Sequence, residues 1–196
     1  MIKIIKNNKT LSLLIFITVL SILIGIFLPA LLEKEIKEEI TNNIFSLIES
    51  IKQNQPIDKA YIYKTFSNNT LSLTLIWTLG ISIIGIPIIL LYYILKTITY
   101  SLEITFLIIN IKNIPIIYIP FYSIPCILNA ILYFLLTYYA ISFSIILIKI
   151  LFFKKEYNLK NIMRKYIKLF FMLLIGILIS SIIEILLIPT IIKFFI

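Results

Sequence analysis

Residues 11–32 form an unbroken stretch of 22 positions without a charge, held between Lys9 and Glu33. A helix needs about 20 mostly apolar residues to cross roughly 30 Å of hydrocarbon at about 1.5 Å per residue. A cleaved signal peptide would carry an apolar run of about 7–15 residues ending in a small-x-small site. This run is longer, and Pro29-Ala30-Leu31 fits such a site poorly. The segment therefore reads as an uncleaved membrane anchor. The rest of the chain agrees: 61% of its 196 residues are hydrophobic, only 14% are charged, and the mean hydropathy is +1.08. Soluble domains average about 45–50% apolar and about 25% charged, and a chain this short could not hide the excess in one core. A cytosolic enzyme, a nucleic-acid-binding domain and a disordered tail are excluded.

Three further apolar runs stand out, at 71–95, 123–148 and 169–192. Gly80, Gly85 and Pro87 interrupt the first, which a membrane helix tolerates only where neighbours re-satisfy the freed carbonyls. Aromatic residues at their edges (Tyr92, Tyr93, Phe152, Phe153, Tyr157 and Tyr166) suit interfacial belts. The stretch 97–111, between Lys96 and Lys112, reaches only about 22 Å as a helix. Charge decides how to read it. The segment 149–168 holds seven basic residues against Glu156 alone, a net charge of +6. Short basic loops stay cytoplasmic, and Lys3, Lys6 and Lys9 place the N-terminus there too. Both ends inside require an even number of crossings between them, so 97–111 is expected to span, with Lys96 and Lys112 snorkelling outward. A re-entrant turn through Pro115, Pro120 and Pro125 is the alternative.

The expectation is thus an all-α polytopic membrane protein forming a single membrane domain. It has five spans (11–32, 71–95, 97–111, 123–148 and 169–192), an inner N-terminus and an outer C-terminus. Most of the formal charge of +9 is juxtamembrane lysine that sets topology, not a nucleic-acid footprint. Outside the membrane, 33–70 is the one sizeable soluble segment. Within it, Ile36, Ile40, Ile44, Leu47, Ile48 and Ile51 recur at helical spacing, which predicts an amphipathic helix over 33–52. Its stripe could rest on lipid, pack on its own segment, or receive a partner helix.

The chain offers little chemistry. It contains no histidine, and its four glycines form no phosphate-binding loop, so His-based catalysis, His/Cys metal sites and nucleotide hydrolysis are unsupported. Cys126, the lone cysteine, lies among apolar residues and reads as a packing residue. No cofactor is expected. Two carboxylates, Glu103 and Glu184, fall inside spans, where an acidic residue at the helix centre costs about 2.5–3.5 kcal/mol. They read as hydrogen-bonded helix glue near Ser180, Ser181, Asn129 or Thr105, or else as part of a proton or solute path.

The string IWTLGISIIGIPIIL at 76–90, preceded by Asn68 and Asn69, resembles the stage II sporulation protein M family, whose members carry a Gly-x-x-x-x-Gly-x-Pro helix after a polar stretch. Gly80, Gly85 and Pro87 match it, Lys96 stands where the family has a lysine, and Pro125 with Asn129 keeps part of a Pro-rich element. The ending GILISSIIEILLIP (176–189) resembles the final helix with its Glu and Pro, here Glu184 and Pro189. Two positions depart: where relatives place glycines after the lysine, this chain has Thr97 and Ser101, which predicts looser packing of that helix. The resemblance implies a non-enzymatic scaffold in the mother-cell septal and engulfing membrane. It would anchor two peptidoglycan-degrading partners, stage II sporulation proteins D and P, during forespore engulfment. The alternative from the residues themselves is a permease-like component using the intramembrane carboxylates.

Overall fold

The structure, a computed structural model, describes residues 8–42, 59–110, 118–154, 157–187 and 190. Five long helices carry nearly all of them: α1 (Asn8–Leu31), α2 (Lys59–Gly80), α3 (Gly85–Ile109), α4 (Tyr118–Phe153) and α5 (Leu159–Ile182). A π-helical turn, Ile183–Leu187, continues α5, and residues 34–42 are helical beyond the end of α1. No strand occurs among the described residues, as expected for an all-α protein. Helical stretches Lys9–Leu31, Gly85–Ile109, Ile119–Phe153 and Leu159–Leu186 are long and apolar enough to cross a membrane. The helix α2, which carries Lys59, Lys64 and the Asn68-Asn69 pair, is not among these four.

Helix boundaries fall differently from the sequence reading at one decisive place. The run 71–95 is not one helix. It breaks at residues 81–84, and 85–109 continues as a single helix that absorbs 97–111. The cause is local. Pro87 has no N–H for the carbonyl of Ile83, and its ring crowds that carbonyl, which disfavours a helix running straight through from α2. Within the first turn of α3 the missing N–H is harmless. A Cβ on Gly85 would collide with the carbonyl of Leu79, and its carbon would lie 2.7 Å away, so the tight turn admits only glycine there. Turn bonds from Ser82 N to Leu79 O (3.0 Å) and Gly85 N to Ser82 O (3.3 Å) close it. The Ser144 hydroxyl lies 2.7 Å from Gly80 O and 3.1 Å from Ser82 O, sharing its proton between two carbonyls at the break. At about 37 Å, α3 needs no shortened crossing.

Other boundaries move as well. The basic segment 149–168 is mostly helix: α4 runs on to Phe153, α5 starts at Leu159, and the connection is only 154–158. Asn158 caps α5, its side chain accepting from Asn161 N at 3.1 Å. Residues 59–70, read as extracytoplasmic, belong to α2, where Asn69 is buried. Pro120 and Pro125 lie within α4, so this part of the suggested re-entrant turn is helical. Of the amphipathic stripe, Ile36 and Ile40 fall on the helical stretch 34–42. Ile44, Leu47, Ile48 and Ile51 lie outside the described residues, as does Pro189.

Paired contacts fix the helix directions. Thr18 meets Tyr93 and Ile22 meets Ser101, so α1 and α3 run parallel. Asn69 O accepts from Tyr133 and Gly80 O from Ser144, so α2 and α4 run parallel. Asn69 also meets Ser181 while Trp77 meets Tyr166, which makes α5 antiparallel to α2. Hence α1, α3 and α5 point one way, and α2 and α4 the other. One end of the bundle gathers the start of α1, the 81–84 break and the 154–158 connection. The opposite end gathers residues 34–42, the start of α2 and the π-turn.

The core is built mainly by α2, α3, α4 and α5, with Leu14 of α1. Leu73, Ile76, Ile89, Tyr93, Leu136 and Ile177 are buried at its centre. Tyr166 stacks on Phe143 at 4.5 Å between ring centroids, and Trp77 packs on Phe170 at 4.6 Å. Tyr93 and Tyr166 are therefore core residues, not the interfacial belt residues expected of them, whereas Phe152 and Phe153 are exposed. By contrast α1 leans mainly on α3 and turns Leu13, Phe16, Leu20 and Phe27 outward, as a lipid-facing helix should. A Cβ on Gly25 would stand 2.6 Å from Ser101 Cβ and 2.8 Å from Ile98 O. The α1–α3 approach is thus close, contrary to the looser packing that Thr97 and Ser101 suggested. The missing cross-helix space is supplied by glycine on α1, and Ser101 adds a bond to Ile22 O at 2.9 Å.

Candidate functional site: an intramembrane polar chamber

The helix α3 brings Lys96 and Glu103 to one face, seven residues or two turns apart. Because the break lies at 81–84, Lys96 sits near the middle of α3 and is half-buried; it does not snorkel from a loop as expected. Its ammonium stands 5.9 Å from the centroid of the Tyr133 ring, within cation–π range. Glu103 Oε2 accepts a weak hydrogen bond from Cys126 Sγ at 3.8 Å, so Cys126 is more than filling.

Around this face the other helices close a polar chamber of about 300 Å³. From α2 come Lys64, Thr65, Asn68 and Asn69, from α4 Tyr122, Cys126 and Asn129, and from the π-turn Glu184. Glu184 lies three, four and seven residues after the buried Ser181, Ser180 and Ile177, so helical spacing keeps it on the inward face as the π-turn begins. The two intramembrane carboxylates expected from the sequence, the motif lysine and the asparagines thus meet in one place. Gly80, Gly85 and Pro87 do not join them. They shape the break at the far end and so set the register by which α2 presents its asparagines.

Buried hydrogen bonds hold the walls. Asn69 donates to Ser181 Oγ (3.1 Å), Tyr133 donates to Asn69 O (2.9 Å), and Ser180 donates to the Pro125 carbonyl (3.3 Å). One buried group on the walls lacks a partner: Asn129 Oδ1. Leaving such a group unsatisfied costs about 1–3 kcal/mol. The sequence reading named Asn129 but missed Lys64, Tyr100 and Tyr133. Their signal, a polar residue one or two turns from another on the same helix face, is weak without knowing where the helices break. No group of three metal-ligating side chains occurs among the described residues.

A bundle of apolar helices around a charged, amide-rich chamber defines a polytopic membrane protein. The model of the family described as stage II sporulation protein M matches residues 3–189, nearly the whole chain. The protein belongs to this family of membrane sporulation proteins, which is not a known enzyme class. No curated protein and no solved structure gives a significant match.

Proposed function

We propose that this protein is a non-enzymatic membrane anchor. It holds stage II sporulation proteins D and P, which cut peptidoglycan, at the mother-cell septal and engulfing membrane during forespore engulfment. The bundle end carrying Lys154, Lys160, Arg164 and Lys165 faces the cytoplasm by the positive-inside rule, which leaves residues 34–42 outside. The observation that carries the reading is this helical stretch. On it Glu35, Glu38 and Glu39 are exposed and Ile36 is still 41% exposed, so the first position of the expected apolar stripe is open to a partner helix.

The carboxylates gathered in the chamber favour transport as a second reading. Against it stands the other half of the bundle, where Trp77, Phe143, Tyr166 and Phe170 pack ring on ring. The test is co-purification from sporulating cells. Ile36→Asp with Ile40→Asp should abolish recovery of the two partners while membrane insertion persists. Undiminished recovery would assign the stripe to lipid or self-packing and remove the support for the anchor reading.

A further inference from the structure

The chamber has a neighbour. Tyr100 and Cys126 line it on one side and, on the other, line an apolar cavity of about 480 Å³ between α1, α3 and α4. Ile22, Ile104, Ile131 and Phe134 wall that second space, which lies on the side of the bundle where α1 exposes its apolar residues. A charged chamber and a hydrocarbon-lined cavity sharing one wall, with α3 and α4 common to both, suit one amphiphilic ligand better than two separate ones.

The charges specify its head group. Lys64 and Lys96 oppose Glu103 and Glu184, so the chamber is balanced. A purely anionic head would leave the carboxylates facing a like charge, and a purely cationic head would do the same to the lysines. Asn129 is 2% exposed and its Oδ1 lacks a donor. That oxygen asks for an N–H or O–H from the ligand. At about 300 Å³ the chamber sits at the small end of the roughly 300–1,000 Å³ range of ligand sites, room for a head group and not for a whole lipid.

We propose that chamber and cavity together bind one zwitterionic phospholipid with a primary ammonium, that is, a phosphatidylethanolamine. The phosphate lies toward Lys64 and Lys96, the ammonium toward Glu103, Glu184 and Asn129 Oδ1, and an acyl chain fills the apolar cavity. A phosphatidylcholine head has the same charges but no N–H, and a phosphatidylglycerol head brings no cation. The site is independent of the anchor reading and would stand if that reading failed.

The full chain, purified and delipidated in dodecyl maltoside, should be titrated by native mass spectrometry. The ligands are phosphatidylethanolamine, phosphatidylcholine and phosphatidylglycerol with identical acyl chains, and soluble phosphoethanolamine. The ethanolamine lipid should bind about ten-fold more tightly than the other two, the worth of one hydrogen bond to a charged group. Glu103→Gln should remove most of that preference, weakening the ethanolamine lipid most and the choline lipid less while phosphatidylglycerol, relieved of a like charge, binds no worse, and Ala130→Trp, which obstructs the apolar cavity, should weaken all three. Equal binding of the three lipids, a preference for phosphatidylglycerol, or an unchanged preference in Glu103→Gln would overturn the proposal. Phosphoethanolamine binding as tightly as the lipid would overturn it in favour of a soluble ligand. Should either variant fail to fold, the ranking of lipids by the parent chain decides alone.

Discussion

Gly80 is where a single methyl group should do the most damage. A Cβ placed there falls on the hydroxyl oxygen of Tyr166 and comes within 2.8 Å of Ala140 Cβ and 3.0 Å of Ala140 Cα. Neither neighbour can yield cheaply. Ala140 is fully buried in α4, and Tyr166 is clamped between Phe143 at 4.5 Å and its own bond to Trp77 O at 2.9 Å. Overpacking of this kind costs about 1–3 kcal/mol. Loss of the tyrosine bond adds about 0.6 and at most about 1.7 kcal/mol, the range for hydrogen bonds inside membrane bundles. Gly80 is the last residue of α2, so the gain in helix propensity is small. The total is about 2–4 kcal/mol, or roughly 4–16 °C in melting temperature for a chain of this length. Gly176→Ala is the control. Its Cβ would meet only Leu132 side-chain carbons at 3.0–3.8 Å, which can rotate away, and alanine gains up to about 1 kcal/mol inside α5. Thermal unfolding of the purified chain in one detergent should therefore place Gly80→Ala well below the parent and Gly176→Ala level with it or above. Adding Tyr166→Phe to Gly80→Ala should recover part of the loss, a positive coupling in the double-mutant cycle. Equal melting temperatures for the two alanine variants would refute the packing argument.

Three other outcomes are expected. In a Cys126→Ser background, cysteines at Tyr157 or Asn161 should resist impermeant thiol reagents in intact cells and one at Glu35 should label; external labelling at position 161 would reverse the orientation. Glu184→Gln keeps the shape and a hydrogen-bonding amide, so it should accumulate like the parent, whereas Glu184→Leu should accumulate less, by immunoblot of membranes, for want of interhelical bonds worth about 0.6–2 kcal/mol. Ser144→Ala strips the donor from the Gly80 and Ser82 carbonyls and should lower the melting temperature by about 2–6 °C, with a native-like circular dichroism spectrum at low temperature.

Hydropathy and charge in the sequence alone determine that this chain is a helical membrane protein. In a bilayer every backbone polar group must be satisfied within its own segment, so a run such as 11–32 has no alternative to α1. The Gly80, Gly85 and Pro87 string is also local in its effect, yet it was read as a kink within one span. Whether the helix kinks or ends here depends on which groups bond the carbonyls around the break. Ser144, more than sixty residues away, bonds those of Gly80 and Ser82 and helps the chain to turn. That one displacement moved Lys96 from a loop into the middle of α3, and with it the meaning of Glu103 two turns on. The chamber was legible only as a set of unplaced polar residues: Asn68, Asn69, Lys96, Glu103, Asn129 and Glu184 come from four separate stretches of sequence. Their meeting follows from helix directions and from where the helices break, neither of which apolar periodicity encodes. A helix of Ile and Leu buries equally well against lipid or protein, so composition fixes that it crosses the membrane, and only side-chain packing fixes which face it turns inward.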